Sequence, residues 1–428
     1  MVSSDVRRVV GDYVTLVRGT TYKGALVGKS GPALLGLGSI VPGGGFRTDF
    51  QTYGGDCPPE LTLIPGDLYV SLKGATKDGK MIGSIARVPS FVTSGRITQD
   101  TVKLVFRDDP APEDISYIHW VLRTPQYRAY CAGHAMGSAV VALSRSDFLK
   151  YPIPPASSAT RVAVSLLDSI DNKIELNRRI AATLEEMGRT LFKNWFIDFN
   201  PVRAKAEGRP SGLPEVTAAL FPDRLGEDGL PEGWSATADS IGLNIRQQIL
   251  PTEVEPETPY VGLEHVERRK LALETVGRAE DVESHKAVFK RRDLLFGKLR
   301  PYFHKVAIAP VDGICSTDIL VFRPQDGIPP AYLYFAFSAD GFVAKASGAQ
   351  EGTRMPRADW GFMRKQPMAR PTPRVLAEFD NVVGPLIERI LVAIEQIRTL
   401  TSIRDTLLLN LISGELRVKN PRNAVEAA

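Results

Sequence analysis

The sequence predicts a mixed α/β protein with an internal pseudo-two-fold repeat: two globular units, each followed by a long helix. Three observations lead there. First, short strings recur at near-constant intervals. Leu35-Gly36-Leu37 is echoed 226 residues later by Val261-Gly262-Leu263, and Asp67-Leu68-Tyr69 at the same interval by Asp293-Leu294-Leu295. Ser146-Asp147-Phe148 is echoed by Ala358-Asp359-Trp360 at an interval of 212. Second, two long stretches place apolar residues in alternating steps of four and three, the signature of a supercoiled seam. The two seams superimpose at an interval of 216. Third, β-branched runs such as Thr62-Leu63-Ile64 and Thr101–Phe106 sit between Gly, Pro and Asp turns, as strands do. A duplicated unit of this kind suits a protein that does one thing at two places.

The elements follow in order. Residues 1–155 read as the first globular unit, closed by Pro152, Pro154 and Pro155, which neither continue a helix nor pair centrally in a sheet. A helix is expected over 156–200, capped by Ser158 or Thr160. Its seam runs Ala163, Leu167, Ile170, Ile174, Asn177, Ala181, Leu184, Gly188, Leu191, Trp195. Asn177 is polar within it: either buried to fix register or turned to solvent. Residues 201–233, punctuated by five prolines, read as a linker with a short helix near Glu215–Phe221. Trp234 opens the second unit, 234–370. The second helical stretch, 371–416, carries Phe379, Val383, Leu386, Ile390, Ala393, Ile397, Leu400, Arg404, Leu407 and Leu411 on its seam. Arg404 is expected to snorkel outward. Gly384-Pro385 is expected to interrupt the helix, because an interior proline costs about 3 kcal/mol; the long helix would then start at Pro385. Gly414 suits a C-terminal stop, and residues 417–428 read as a tail. Two matched amphipathic helices in one chain are expected to pack together. About 38 residues would span roughly 57 Å, a ruler between the units.

Composition bounds the function. At 428 residues, 43% hydrophobic and 24% charged, the chain is ordinary globular protein with room for two or three cores. A net charge of +4 permits nucleic-acid binding without demanding it,. Cys57, Cys131 and Cys315 lie far apart, which implies neither a disulfide framework nor a zinc site. The N-terminus has no apolar signal segment, and Glu388 and Arg389 break the best candidate for a membrane span,. A cytoplasmic protein without membrane association is expected.

Motifs for chemistry are missing. Gly24–Ser30 is one residue short of a phosphate-binding loop, and Gly36-Leu37-Gly38 lacks the third glycine of a dinucleotide fingerprint,. There is no G-x-S-x-G, no HExxH and no Asn-Pro-Pro-aromatic methyltransferase signature. The repeated Asp67 and Asp293 are expected to hold turns. No catalytic residue and no metal site is nominated.

Basic residues are more suggestive. From Arg268 to Lys305 there are eleven Lys/Arg against five Asp/Glu, with Tyr302, Phe303 and His304 interleaved. This texture suits phosphate contacts, and Arg can read guanine edges; a solvated charged face is the plainer reading. DNA-binding candidates are Lys290, Arg291, Lys298, Arg300, Tyr302, Lys305 and Arg354 in the second unit. The thinner set in the first unit is Arg18, Tyr22, Lys23, Lys73 and Lys77.

Phe296-Gly297-Lys298-Leu299-Arg300-Pro301, continuing through Val306–Asp318, resembles the target-recognition domain of type I restriction-modification specificity (S) subunits. So does Leu191–Phe199 followed by Pro201-Val202-Arg203-Ala204-Lys205, and Pro231-Glu232-Gly233-Trp234 resembles the usual entry to the second domain. The resemblance covers essentially the whole chain. It implies two target-recognition domains, each reading half of a bipartite DNA target, separated by two antiparallel helices forming a coiled-coil spacer. It implies two methyltransferase (M) subunits docked on that spacer, and restriction (R) subunits joining through the complex. The chain itself would be noncatalytic and bind no cofactor. S-adenosylmethionine, ATP and Mg2+ would belong to the partners, with adenine-N6 methylation carried out by M. The first unit has Ser71-Leu72-Lys73-Gly74 where the second has Gly297–Arg300, so the two halves of the target should differ. The competing readings are a coiled-coil adaptor binding only protein, and a self-contained nuclease or methyltransferase.

Overall fold

The computed structural model describes residues 8–48, 50–74, 79–137, 141–280, 282–348 and 356–412. The candidates Lys77 and Arg354, the helix stop at Gly414 and the tail 417–428 lie outside them. The chain divides into two compact units, residues 1–171 with 402–428, and residues 172–401.

The first unit begins with α1 (Val10–Tyr13), β1 (Val14–Arg18), β2 (Ala33–Leu35), β3 (Thr62–Leu63), β4 (Leu68–Ser71), β5 (Ile85–Arg87), β6 (Gly95–Ile97) and β7 (Thr101–Phe106). It continues through α2 (Pro112–Val121), α3 (Pro125–His134) and α4 (Arg145–Leu149) into α5 (Ser158–Phe196). One sheet is antiparallel in the order β1-β7-β4-β5; the other runs β2-β6-β3, with β2 parallel to β6. All four residues of β4 are buried. Strand periodicity sends Leu68 and Val70 to one face, against Trp120, Tyr127 and Phe148 of the helices,. Tyr69 goes to the other face, against Leu35, Leu63 and Ile97.

The second unit takes the rest of α5, then α6 (Asn200–Ala206), α7 (Glu215–Ala218), β8 (Ser235–Thr237), β9 (Gly242–Ile245), β10 (Gln248–Ile249), β11 (Pro259–Val261) and β12 (Gly277–Arg278). Then come β13 (Lys286–Phe289), β14 (Leu294–Gly297), β15 (Val306–Ile308), β16 (Gly313–Cys315), β17 (Ile319–Pro324), α8 (Pro330–Phe337), α9 (Asp340–Gly348), α10 (Trp360–Met363), β18 (Pro367–Ala369) and α11 (Pro373–Ile412). Its four-stranded sheet, β9-β17-β14-β15, repeats the order and sense of β1-β7-β4-β5. Its other sheet contains β11 parallel to β16 and β13 antiparallel to it, as β2, β3 and β6 are arranged, with β10 and β12 added outside.

Bridges fix the correspondence residue by residue. Lys73 pairs with Ala142, and Leu299 with Arg357. Gly74 N donates to Val141 O, and Arg300 N to Pro356 O. The late equivalence therefore runs at 215, not 212: Ser144 caps α4 as Asp359 caps α10. The short echo misaligned Asp147 with Asp359, because Ser and Asp serve equally as N-caps.

Several expectations about the long helices change. Ser157 caps α5, its Oγ accepting from Thr160 N at 3.1 Å; neither Ser158 nor Thr160 does. Helix α11 is continuous from Pro373, with Pro385 inside it. Pro385 and Asn381, whose carbonyl loses its helical partner, are on the exposed face, open to solvent. The opposite face buries Phe379, Val383, Ile387 and Ile390, each contributing about 1.5–3 kcal/mol against the proline's about 3. The buried stripe of α11 also takes in Leu391 and Ile394, so it is wider than a two-position seam. Arg404 does not snorkel outward; it bonds Asp171 Oδ1 at 2.9 Å within the first unit.

Among the nominated seam positions, Leu167, Ile170, Ile174, Asn177, Ile390 and Ile397 are buried, while Leu184, Leu191, Leu400 and Leu407 are half-buried. Within the second unit, α5 and α11 touch in opposite directions: Asn177 meets Gln396, while Phe192 and Trp195 meet Phe379. In the first unit Leu167 shares a core with Leu408. Residues 201–233 are not a free linker. Val202, Ala204 and Phe221 are buried, and Phe221 packs on Trp195 and Trp234. The prolines shape a segment whose aromatic residue has a core to enter.

Candidate nucleic-acid interface

The four-stranded sheet of each unit brings three chain segments to one end. In the second unit these are the exit of β9 at Arg246, the exit of β14 at Lys298 and the entry to β17 at Ile319. They line a polar cleft of about 440 Å³ with Asn244, Gln247, Gln248, Thr317, Arg357 and Asp359 on its walls. Arg246, Gln247 and Gln248 are consecutive and exposed. Arg246 Nε makes one long contact, 3.4 Å to Asn244 Oδ1. Arg357 faces Asp318 at 3.5 Å. Amides and guanidinium groups at a strand exit present the donors and acceptors that read base edges.

The loop between β14 and β15 adds the nominated cations and aromatics at the same end. Lys298 Nζ donates to Thr317 O at 2.6 Å. Arg300 takes the left-handed conformation at φ 50°, and its guanidinium lies 5.9 Å from the Phe303 ring. Arg268 stacks on that ring at 4.0 Å. Tyr302 is 54% exposed beside Phe303. Lys305 Nζ donates to Leu263 O, and burial, then the neighbouring Arg268, holds its pKa below the usual lysine value.

Lys290 and Arg291 are not part of this group. They precede β14, at its opposite end, ~13 Å of strand away at 3.3 Å per residue. Lys290 Nζ pairs with Asp312 at 3.0 Å; Arg291 N donates to Asp312 Oδ1 at 2.7 Å and its Nε to Pro310 O at 3.3 Å. The basic run that looks single in sequence is thus split by the strand it encloses.

In the first unit, Arg18 is exposed at the exit of β1, Lys73 follows β4, and Thr101 opens β7. Gly19 N donates to Thr101 O at 3.1 Å, and Lys73 pairs with Asp100 at 3.2 Å. Buried Arg96 holds the segment after Arg18 through Thr20 Oγ1 and Thr21 O. Tyr22 is 41% exposed, edge-on to Tyr53, whose hydroxyl accepts from Lys23 N at 3.3 Å. Arg18, Tyr22, Lys23 and Lys73 therefore share one end of the first unit. Asn244, Arg246, Gln247, Gln248 and Arg357 were missed. The signal was present as four polar residues around Ile245, Asn244-Ile245-Arg246-Gln247-Gln248, at the end of a strand.

The turn-holding role of the repeated aspartates is visible. Asp67 Oδ2 accepts from Ile64 N at 2.9 Å and Lys103 Nζ at 2.7 Å. Asp293 accepts from Lys290 N and from both Arg323 Nε and Nη2, each at 2.7 Å. Among the described residues no cluster of His, Cys, Asp or Glu suits a metal ion, and no helix is long and apolar enough to cross a membrane.

No protein-family model matches the chain. The specificity subunit of the MjaIX type I restriction enzyme of Methanocaldococcus jannaschii is 24% identical over 316 residues, 71% of this chain and 69% of that protein. The HindI specificity subunit of Haemophilus influenzae is 23% identical over 319 residues, 63% of this chain and 69% of that one. These relatives are type I restriction enzyme specificity subunits. The mixed α/β fold with its long helices is likewise similar to the crystal structure of the type I S subunit of M. genitalium. The TM-score is 0.53 at 14% identity, over 96% of this chain and 97% of that one. The resemblance read from Phe296–Asp318 and Leu191–Lys205 thus leads to the same family as the relatives.

Proposed function

We propose that this chain is the noncatalytic DNA-recognition subunit of a type I restriction-modification complex, each unit reading one half of a bipartite, asymmetric target. The observation that supports it most is that the seven-strand arrangement of the first unit recurs in the second, while the exposed polar ends differ. A shared scaffold lets equal partners dock in equivalent ways; different ends let two sequences be read. Two M subunits would bind and carry S-adenosylmethionine, with methylation of adenine N6 on a base presented outside the duplex. R subunits joining the complex would use ATP and Mg2+. The paired stretches of α5 and α11 would act as the spacer that sets half-site separation.

The test is a mobility-shift titration of duplex DNA with the chain and its cognate M subunits. A bipartite preference is expected, with affinity falling steeply as salt rises because bound phosphates release counterions. Absence of any sequence preference overturns the proposal and favours an adaptor that binds only protein. Removing one heptad from each long helix tests the spacer: an unchanged half-site separation refutes that role.

A further inference from the structure

The two strand exits can be superimposed by register alone. In the first unit Leu16 opposes Leu104, Val17 opposes Lys103 and Arg18 opposes Val102. In the second, Asn244 opposes Phe322 and Ile245 opposes Val321. The β4–β7 and β14–β17 pairings match Leu104 with Phe322, Lys103 with Val321 and Val102 with Leu320. Arg246, the next residue after Ile245, therefore stands where Arg18 stands. Both are exposed, and among the described residues neither guanidinium is held by a carboxylate. Three other cations at these sheet ends are engaged: Lys73 by Asp100, Arg357 by Asp318, and Lys298 by a carbonyl.

The surroundings of the two arginines diverge at the next residue. After Arg18 the chain turns inward. A side chain on Gly19 would strike Thr98 O, 1.9 Å from its Cβ position, and Thr20 bridges to Thr98. After Arg246 the chain runs on to pair Gln248 with Ala287, so Gln247 and Gln248 line the cleft beside the arginine.

We propose that Arg18 and Arg246 are equivalent specificity-determining residues, each the cation by which its unit contacts base edges in its own half of the DNA target. This rests on the DNA-reading function above. Arg246, followed by Gln247 and Gln248, has amide neighbours suited to adenine alongside its own preference for guanine,. Arg18, followed by Gly19 and Thr20, has none. The shared arginine positions each unit alike, and the neighbours make the words different.

The experiment uses the chain assembled with its M subunits, bound to a pool of duplexes with every base of the target varied singly. Arg246→Ala should relax discrimination in one half-site only, by about ten-fold at one or two base pairs, and Arg18→Ala should do the same in the other half. Arg246→Lys and Arg18→Lys, which keep charge but lose the planar fork, should relax specificity with smaller losses of affinity. Relaxation of the same half by both substitutions, or unchanged profiles for both, overturns the proposal while leaving DNA reading intact. A wild-type complex with no sequence preference overturns the underlying function instead. Both side chains are exposed, and unaltered circular dichroism of the variants separates lost reading from lost folding.

Discussion

Asn177 on the first long helix donates its Nδ2 to Gln396 Oε1 on the second at 3.0 Å, and Asn177 is completely buried. Among the described residues its own Oδ1 has no partner. One satisfied and one orphaned polar atom in an otherwise apolar stripe is a poor way to gain stability, since an unsatisfied buried acceptor costs about 1–3 kcal/mol. It is a good way to fix register, because any slip leaves both groups unpaired. Replacing both residues with leucine is therefore expected to raise the urea midpoint. Asn177→Ala alone should lower stability by about 1–2 kcal/mol. A double-mutant cycle with Gln396→Ala checks the coupling, and a cycle closing to zero would remove the register argument.

The repeated aspartates are expected to differ in weight. Asp293 is 2% exposed and accepts from one backbone amide and two guanidinium nitrogens. Asp67 makes the same turn but faces one ammonium group and is more open. Asp293→Asn should cost about 2–3 kcal/mol, because charge-assisted bonds lost in a closed site are not replaced by water. Asp67→Asn should cost about 1 kcal/mol, closer to a surface pair. Urea unfolding of the two variants checks the order.

Acid sensitivity should have two windows in the first unit. His119 is buried; its Nε2 lies 3.3 Å from Arg123 Nη1, a donor, which places the ring proton on Nδ1. Burial, then Arg87, Arg123 and Arg404, holds its pKa well below the usual histidine value. The folded state then binds fewer protons than the unfolded one, so stability falls as pH drops below about 6.5, by up to about 1.4 kcal/mol per unit. Asp171 acts in the same direction over a lower pH window. Burial raises its pKa, but Arg123 and Arg404 outweigh it and the net direction is down. Its contribution is full above the unfolded carboxylate value of about 3.9 and is lost as pH falls below that. His119→Gln should flatten the stability profile between pH 6.5 and 5 and leave the lower window in place. Unfolding midpoints measured across that range decide it; His304, also held low by burial, contributes to the slope that remains, and a profile unchanged by His119→Gln would remove the assignment.

What the sequence showed, and what it hid, follows from physical range. The echoes at Leu35/Val261 and Asp67/Asp293 were legible because each sits where backbone geometry admits few residues: the end of a strand entering a parallel pair, and a turn closed by a carboxylate. The echo at Asp147/Asp359 misled because capping accepts several residue types. Pro385 was read by its local penalty alone; the burial of Phe379, Val383 and Ile387 on the other face of α11 is a tertiary term invisible to local rules. Arg246 was hidden because its meaning depends on a distant strand register, that of the preceding Ile245 with Val321. The Lys290 and Lys298 groups merged in sequence because eight residues look close until a strand stretches them apart.

That separation yields the last expectation. Under the DNA-reading function, the end of the sheet holding Arg246, Lys298, Arg300 and Tyr302 should face the duplex. The end holding Lys290 and Arg291 should not. Lys298→Glu adds a negative charge beside the cleft and should weaken target binding at least ten-fold, lowering the slope of log affinity against log salt by roughly one if a phosphate contact is lost. Lys290 already has Asp312 at 3.0 Å. Reversing it to glutamate breaks an exposed pair worth about 0–1 kcal/mol and should leave both affinity and salt slope nearly unchanged. Fluorescence anisotropy of the assembled complex at several salt concentrations compares the two. Equal losses from both variants would mean that DNA wraps past the cleft to the far end of β14, and that the basic run acts as one surface after all.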